Sequence, residues 1–378
     1  WWLSRPLPEP PLPRLVLTPV AFKALVGWRQ DAHGEALLAF RKSCQRFDGW
    51  PDDRSVGPKG LGGQAGDWRR LCTEARSVEA KDHAVVRDFF EAGFTALAVT
   101  QGDDEEGLFT GYYEPLLRGS RRRGDGFQVP LHGLPSDLVT ADLGRFDPEL
   151  KGRRITGRVG RGRLEPYPDR AGIEKAGLAE VPVLFWVDNA VDAFFLHIQG
   201  SGRVRLDDGS EVRVGYAGQN GRRYYAIGRE LIKRGVLTRD NVSMQSIRRW
   251  LEAHPVEAVA VMRLNPSYVF FRELGPEGPL GALGVTLTPG RSIAVDRRRL
   301  PLGAPIWLET KAPAAAAGAP DRPLRRLMVA QDTGGAIRGA VRGDVFWGHG
   351  PEATAVAGRM KHPGRWYLLL PRTLAARY

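Results

Sequence analysis

Three aspartates stand at the ends of apolar segments, where a rigid strand can hold a carboxyl group in a fixed position. Asp332 and Asp344 bound the glycine-rich segment DTGGAIRGAVRGD, which lies between the apolar runs RLMVA and VFWG. Asp296 follows the apolar run IAV in the same way. Catalytic residues are often carried at such positions, but aspartate beside glycine is also typical of an ordinary turn. The spacing alone leaves both interpretations open.

Clustered carboxyl groups would suit acid–base chemistry on a glycosidic bond. A carboxyl kept protonated near neutral pH, by burial or by a like-charged neighbour, can give its proton to a leaving group. A glycoside hydrolase needs a second carboxylate as base or nucleophile, whereas a lyase can use one if a hydroxyl of the sugar attacks. Gly334 and Gly335, between the two aspartates, would let a ligand approach the backbone closely.

Three other segments carry side chains suited to sugars, namely TGYYEP (110–115), HIQGSG (197–202) and GYAGQNGRRYY (215–225). Aromatic rings stack on sugar faces, and amides and hydroxyls bond to sugar hydroxyls. The predicted glycan contacts in these segments are Thr110, Tyr112, Tyr113, Gln199, Ser201, Tyr216, Gln219 and Asn220. Core packing is the alternative role for each aromatic residue. Because Tyr112 and Tyr113 are adjacent, they point to opposite faces of a strand, so at least one is structural.

The sequence lacks the motifs of other enzyme classes. QGSG (199–202) has Gln199 where a nucleophile elbow requires glycine. The 7 histidines are dispersed, and the 2 cysteines show no metal-ligand spacing. GSGRVRLDDG (200–209) is not a phosphate loop, because no Lys-Ser or Lys-Thr pair follows it. The sequence therefore predicts a site without a metal ion or cofactor.

Composition limits the partners and the compartment. The net charge of +12 over 378 residues fits either an anionic polymer as partner or simply an arginine-rich surface. No helix-turn-helix, zinc-finger or RRM motif supports binding of nucleic acid. No apolar run reaches the roughly 18 residues that a membrane-spanning helix needs. Cys44 and Cys72 could pair in an exported protein or remain free thiols otherwise.

The surrounding patterns predict an α+β protein. Residues 20–47 have helical spacing with a break at His33–Gly34, and DHAVVRDFFEAGFTAL (82–97) reads as a helix capped by Asp82. Residues 107–120 and 193–206 read as strands, residues 222–235 as a helix ending at Gly235, and residues 243–255 as a helix capped by Ser243. The last hundred residues are β-rich again, with residues 311–323 as a loop.

Several of these segments together resemble the membrane-bound lytic murein transglycosylase A family. The resemblance covers residues of about 80–372 in the family's order, including GLFTGYYEPLLRGS, PYPDRAGIE, the segment FFLHIQGSGRVRLDDGSEVRVGYAGQNGRRYY, NPSYVFF and VDRRRLPLG. LMVAQDTGGAIRGAVRGDVFWGHGPEA also resembles the three-aspartate barrel domain of such proteins.

The resemblance implies a fold and a reaction. The fold is a double-psi β-barrel with flanking helices, a smaller inserted β-barrel and a groove between them. Residues 1–110 and 222–378 are expected to form the helical part and the double-psi barrel, with the three-aspartate segment at about 285–372. Residues 111–221 are expected to form the inserted domain. The reaction is non-hydrolytic cleavage between N-acetylmuramic acid and N-acetylglucosamine, which leaves a 1,6-anhydromuramic end. Asp344 would act as acid and then base, Asp332 would orient or tune it, and Asp296 matches the third aspartate.

The resemblance also implies a place and partners. Export to the periplasm is expected, which favours a Cys44–Cys72 disulfide. The expected partners are peptidoglycan strands, with peripheral association with the outer membrane or cell-wall complexes, for a monomeric protein. The chain begins at Trp1, as a processed product would, without the cysteine that carries a lipid anchor. A glycan-binding protein without activity and a two-carboxylate hydrolase are the alternatives.

Overall fold

Two β-barrels form most of the fold, and a helical layer packs on the first of them. The computed structural model describes residues 14–124, 126–178, 180–239, 241–275, 278–316 and 318–377. The strands are, in chain order, β1 Leu15–Val20, β2 Phe94–Gln101, β3 Gly107–Glu114, β4 Leu116–Ser120, β5 Val129–His132, β6 Leu138–Asp142, β7 Arg154–Gly160, β8 Arg163–Pro166, β9 Val183–Val187, β10 Ser201–Leu206, β11 Glu211–Gln219, β12 Val269–Leu274, β13 Ser292–Val295, β14 Pro305–Ala312, β15 Arg322–Asp332, β16 Arg342–His349 and β17 Lys361–Pro371.

The α-helices divide into a layer before the barrels, a middle group between residues 170 and 263, and two short elements near the end of the chain. They are α1 His33–Asp48, α2 Gly66–Ser77, α3 His83–Gly93, α4 Arg170–Ala176, α5 Ala190–Gln199, α6 Gly228–Lys233, α7 Met244–Ala253, α8 Pro255–Arg263, α9 Pro351–Ala357 and α10 Arg372–Ala375. None of the helices in the described ranges is both long and apolar enough to cross a membrane.

The first barrel has six strands in the order β3–β17–β14–β15–β13–β16. It closes because β16 pairs with β3 and β3 also pairs with β17. The β13–β15 and β16–β3 pairs are parallel, and the other pairs are antiparallel. Ile293, Val295, Phe109 and Val345 are completely or almost completely buried in the main core. This is the double-psi β-barrel fold that the resemblance implies.

The second barrel is smaller and is built from β12–β11–β10–β4–β9–β5. A bridge between Gly133, just after β5, and Phe271 of β12 joins its two ends. Its core includes Leu117, Phe185 and Val204. Strands β6–β8 form a separate three-stranded sheet. Because β12 pairs with β11, the second sheet includes residues beyond the predicted insert of 111–221, and the domain boundaries themselves stay a prediction.

The N-terminal helices are fastened to one another and to the first barrel. Helix α1 buries Leu37, Phe40 and Phe47 at helical spacing. Cys44 of α1 and Cys72 of α2 form a disulfide, with their Cα atoms 5.2 Å apart. Arg291, immediately before the barrel strand β13, is buried and pairs with Asp31 at 2.7 Å and with Glu35 at 3.0 Å. The helical layer thus belongs to the same packed unit as the first barrel.

Several predicted elements are confirmed. Asp82 caps α3 by accepting hydrogen bonds from the backbone of Ala84 and Val85. Ser243 caps α7 in a reciprocal arrangement with Ser246. Residues 107–114 and 116–120 are strands, as predicted.

Other predicted elements are wrong. Residues 190–199 form helix α5 instead of a strand, because Asn189 caps the segment and Val191, Phe194 and Phe195 are buried at helical spacing. Phe94–Gln101 is strand β2, so α3 ends earlier than predicted. Residues 22–30 contain only short 3₁₀ turns, and the helix predicted for 222–235 is restricted to 228–233. Pro255 lies just past the end of α7 at Ala253, as predicted, but it also opens a further helix, α8.

Candidate active site

The strand register brings Asp332 and Asp344 to the same level of the first barrel. Ala294 of β13 is paired with Asp332 of β15 on one side and with Asp344 of β16 on the other. Residues opposite one another in a sheet share a face. The neighbouring positions Ile293 and Val295 point into the main core, so the two aspartates lie on the outer face of the barrel. Asp332 and Asp344 are both half-buried.

A small apolar cluster supports this outer face. It consists of Tyr112, Leu287, Ala294, Ile337 and Phe346. The rings of Tyr112 and Phe346 are 5.2 Å apart and stand on the paired strands β3 and β16. The small side chain of Ala294 sits between the two acidic positions. Because this floor is apolar, ionised carboxylates next to it lose much of their stabilisation by water.

Asp344 is held by Thr110 on the adjacent strand β3. The Thr110 hydroxyl donates to Asp344 Oδ1 at 2.8 Å. Arg342, two residues before Asp344 on β16, donates from Nη2 to Thr110 Oγ1 at 2.9 Å. Residues two apart on a strand share a face. Arg342 therefore reaches Asp344 through Thr110 and through its own charge.

Burial raises the pKa of Asp344 to about 6, from the ordinary value of 3.8. The Arg342 charge and the Thr110 hydrogen bond act in the opposite direction, while the negative charge of Asp332 adds to the increase. The effect of burial on the pKa is larger than these opposing effects. Near pH 6 the carboxyl can therefore either donate or accept a proton, which is the requirement for one group to act as acid and then base.

Asp332 is more firmly fixed than Asp344. Its Oδ2 accepts from the Tyr112 hydroxyl at 2.8 Å, and its Oδ1 accepts from the backbone N–H groups of Ala282 at 2.9 Å and Thr333 at 2.8 Å. Burial raises the pKa of Asp332, while these three hydrogen bonds oppose the shift. Burial and both aspartates in turn raise the pKa of Tyr112, which keeps its hydroxyl protonated as a donor.

Asp296 is a loop anchor in this structure. Its side chain is 1% exposed and accepts from Arg298 Nε at 3.1 Å and from the Gly339 backbone N–H at 3.1 Å. Burial alone would raise its pKa, but the bonds from Arg298 and Gly339 outweigh burial and lower it. Gly339 has φ +114°, which disfavours other residues. The carboxyl of Asp296 is thus closed off from the surface in the free protein, and its catalytic role stays a prediction.

The predicted glycan contacts fall into two groups. Half-buried or exposed positions are Thr110, Gly334 and Gly335 near the aspartates, and Ser201, Tyr216 and Gln219 on the second barrel. A Cβ on Gly335 would meet nothing within 4 Å, so the free protein gives no steric reason for glycine there. Tyr216 is 50% exposed. Burial of its hydroxyl raises its pKa, and the charge of Arg297 on the first barrel opposes this, so Tyr216 lies near the first barrel.

Four predicted contacts make structural contacts in the free protein. Three of them are buried and Gln199 is half-buried, and a glycan contact for each stays a prediction. Asn220 is completely buried, and its amide bonds to the backbone of Pro168, Pro266 and Tyr268. Tyr113 is 3% exposed and packs against helix α9. Gln199 Oε1 accepts from the Tyr113 backbone N–H at 3.1 Å.

Tyr112 is 8% exposed and supports Asp332. These structural contacts have one cause. The segments that resemble the family are also the junction between the barrels, where polar side chains satisfy buried backbone groups.

Two contributors to the site were missed. Arg342 had a usable signal, because it stands two residues before Asp344, and residues two apart share a face wherever a strand includes both. The Ala282 backbone N–H had none, since any residue supplies that donor. Among the described residues, no group of three or more His, Cys, Asp or Glu is arranged to hold a metal ion.

Comparison with other proteins places the site in a known context. The profile of the "MltA specific insert domain" matches residues 108–272, and that of the "3D domain" matches residues 291–370, which include all three aspartates. The membrane-bound lytic murein transglycosylase A of Escherichia coli (strain K12) is 34% identical over 273 residues, which is 71% of this chain and 67% of that protein.

Solved structures agree over nearly the whole chain. The membrane-bound lytic murein transglycosylase of Agrobacterium tumefaciens superposes with a TM-score of 0.85 at 33% identity, covering 96% of this chain and 99% of that one. The structure of E. coli MltA with bound chitohexaose has a TM-score of 0.66 at 28% identity, covering 96% of this chain and 93% of that one.

Proposed function

Because this chain belongs to the membrane-bound lytic murein transglycosylase A family, we propose that it is a lyase that cleaves the β-1,4 bond between N-acetylmuramic acid and N-acetylglucosamine in peptidoglycan. The main support for this proposal is the environment of Asp344. This residue combines a pKa of about 6 with a hydrogen bond that fixes it and a partly exposed position on the barrel.

In the proposed reaction, a single carboxyl group first donates a proton and then accepts one. Protonated Asp344 gives its proton to the glycosidic oxygen, and the bond from that oxygen to muramic C1 breaks. The Asp344 carboxylate then takes the proton of the muramic C6 hydroxyl, whose oxygen bonds to C1. The products are an N-acetylglucosamine hydroxyl and a 1,6-anhydromuramic end. Asp344 is protonated again at the end, so water takes no part.

The neighbouring groups support this assignment in different ways. A negative Asp332 disfavours ionisation of Asp344, and its three hydrogen bonds fix it in place. Thr110 orients the Asp344 carboxyl. For Asp296 we propose a positioning role, since it holds the loop that contains Gly339.

We propose that the glycan lies between the barrels. Thr110, Gly334 and Gly335 would contact it from the first barrel, and Ser201, Tyr216 and Gln219 from the second. The E. coli relative was crystallised with chitohexaose, which supports an oligosaccharide as the ligand class. We also propose periplasmic action as a monomer; the Cys44–Cys72 disulfide supports an oxidising compartment.

Asp344→Asn tests the proposed chemistry. Because asparagine cannot donate and recover a proton, we expect it to lower turnover of isolated murein by about 10³-fold or more. Chitohexaose binding, measured by calorimetry, should stay within a few-fold of the original protein. Asp332→Asn is the matched variant and should lose less activity.

Mass spectrometry of the digested murein separates the alternatives. Anhydro ends from the unsubstituted protein support the lyase. Reducing ends would show a hydrolase, and unchanged murein would show a glycan-binding protein. Substantial anhydro product from Asp344→Asn would refute the role of Asp344.

A further inference from the structure

A cavity of about 270 Å³ opens beside the site, on the side of Asp332. Its lining includes Arg46, Trp50, Arg54, Ala282 and Arg297. These residues come from the end of α1 with its following loop, from the segment after β12, and from the turn after β13. None of the described residues that line it is acidic. The volume is just below the range of roughly 300–1,000 Å³ for typical small-ligand pockets, which suits a group of amino-acid size.

The three arginines lack acidic partners. Arg46, Arg54 and Arg297 are exposed, and over the described ranges none of their guanidinium groups has an ion pair or hydrogen bond. Trp50 orders two of them, because the Arg54 guanidinium lies 4.1 Å and that of Arg46 5.7 Å from its ring centre. The N–H edges of both guanidiniums thus remain available to a ligand.

The cavity is structurally continuous with the reaction site. Ala282 lines the cavity, and its backbone N–H donates to Asp332 Oδ1 at 2.9 Å. Arg297 is adjacent to the loop anchor Asp296 and near Tyr216 of the second barrel. A glycan strand bound at Asp344 would therefore lie next to this basic cavity, since only Asp332 and Ala282 separate the two.

We infer that this cavity binds a carboxylate of the peptide branch carried by the glycan. The inference rests on the proposed function and extends it to substrate choice. Guanidinium groups match the planar, two-oxygen geometry of a carboxylate. In peptide-bearing strands the lactyl carboxyl of muramic acid is bound in an amide, so the glycan backbone gives arginine no charge to pair with. The peptide branches themselves end in carboxylates. A branch beside the cleaved bond is thus held while the sugar occupies the site.

The test replaces all three arginines, as Arg46→Gln/Arg54→Gln/Arg297→Gln. The control Arg29→Gln/Arg70→Gln/Arg118→Gln removes the same charge from exposed arginines that do not line the cavity. Each protein is assayed on peptide-bearing strands and on strands stripped of peptide by an amidase. Stripped strands keep only the lactyl carboxylate of muramic acid, which separates the two sources of carboxylate. Chitohexaose, which has no carboxylate, checks the integrity of the fold.

We expect a loss of activity on peptide-bearing strands only. The cavity variant should lose about tenfold in kcat/KM on peptide-bearing strands, and change less than twofold on stripped strands and in chitohexaose binding. The control variant should not discriminate between strands. Equal losses on both strands, or a loss only on stripped strands, would overturn the peptide assignment. If the unsubstituted protein cleaves neither strand, the proposed function fails and the inference falls with it.

Discussion

The three aspartates differ in what surrounds each carboxyl. Asp296 pairs with Arg298 and has a lowered pKa, so it stays ionised. Asp332 and Asp344 both have raised pKa values from burial, but Asp332 accepts three hydrogen bonds and Asp344 only one from the described residues. A group that must gain and lose a proton needs a weakly held carboxyl. Asp344 fits that requirement best.

Arg342 should set the pH dependence of the reaction. The acid form of Asp344 starts the reaction, so kcat/KM should fall as pH rises through the pKa of about 6. The Arg342 charge lowers that pKa. Arg342→Gln should therefore raise it and move the alkaline limb upward by about half to one pH unit. The measurement is the pH profile of kcat/KM on isolated murein.

Arg338→Gln is the control for this shift. Arg338 is an exposed arginine before the same strand, and the hydrogen bond recorded for its side chain goes to the Ile337 carbonyl. It should leave the limb in place, whatever its effect on binding. A limb that moves equally in both variants, or moves downward in Arg342→Gln, would contradict the role of Arg342.

Asp344 should also cost the protein stability at neutral pH. Its folded pKa of about 6 exceeds the ordinary 3.8. The folded state therefore holds the proton more tightly, and stability is lost as pH rises through about 6. Asp344→Asn should raise the free energy of unfolding by about 1–2 kcal/mol at pH 7.5 and by almost nothing near pH 3.5, a range reduced for partial exposure. Urea denaturation at both pH values measures it, and equal differences would contradict it.

At the residue scale, the sequence predicted positions better than roles. Asp332 ends β15 as expected, whereas Asp344 lies inside β16, two residues after its start. The structure brings both to one level through Ala294. The burial of Asn220 and Tyr113 could not be predicted, because it depends on backbone groups of Pro168 and Pro266 and on helix α9, distant in sequence. The segments predicted to bind glycan are also the segments that join the two barrels, so sequence alone could not separate the two roles.

At the element scale, the disulfide joins the helices that pack on the barrel. Cys44 and Cys72 are separated by 28 positions and connect α1 to α2. Removing such a crosslink enlarges the unfolded ensemble. Cys44→Ala/Cys72→Ala should lower the free energy of unfolding by about 2–4 kcal/mol. Thermal unfolding followed by circular dichroism checks this.

The reduced protein provides the control for the disulfide. A reductant should lower the melting temperature of the unsubstituted protein toward that of the double variant, and leave the variant unchanged. Two titratable thiols in the denatured, non-reduced protein would show that the bond does not form. Equal melting temperatures for all samples would show that it forms without stabilising the helices.

The elements that the sequence predicted wrongly share a physical cause. Residues 193–199 are rich in apolar side chains, a pattern that fits either a buried strand or a buried helix. Helix α5 is selected by its Asn189 cap and by packing on two sides, against the second barrel and against the cluster around Leu231 and Leu251. By contrast, Asp82 and Ser243 mark helices through local hydrogen bonds, which sequence patterns capture directly.

At the scale of the whole molecule, the barrels are joined by charges around Glu114. This residue ends β3 of the first barrel, is 1% exposed, and lies 3.2 Å from Arg213 Nη2 and 3.7 Å from Arg203 Nε of the second barrel. The Gln199–Tyr113 hydrogen bond crosses the same junction. The junction thus connects β3, whose Thr110 binds Asp344, to the second barrel, which carries the other proposed glycan contacts.

Glu114→Gln should loosen this junction. Removing the charge of one partner of a buried ion pair costs about 3–5 kcal/mol when burial is complete. Because Arg203 and Arg213 are 20% and 16% exposed, we expect a loss in the free energy of unfolding of about 2–3 kcal/mol. Chitohexaose binding should weaken as well, since its two proposed walls are no longer held in one orientation. Denaturant titration and calorimetry measure the two effects.

Glu211→Gln is the matched comparison, because Glu211 lies 3.6 Å from the same Arg203 but on the surface, with a side chain 35% exposed. Exposed pairs contribute about 0–1 kcal/mol, so this variant should differ little from the unsubstituted protein in both measurements. If Glu114→Gln binds chitohexaose as tightly as Glu211→Gln while losing stability, the junction stabilises the fold without setting the groove. If both variants keep full stability, the charges around Glu114 do not hold the barrels together.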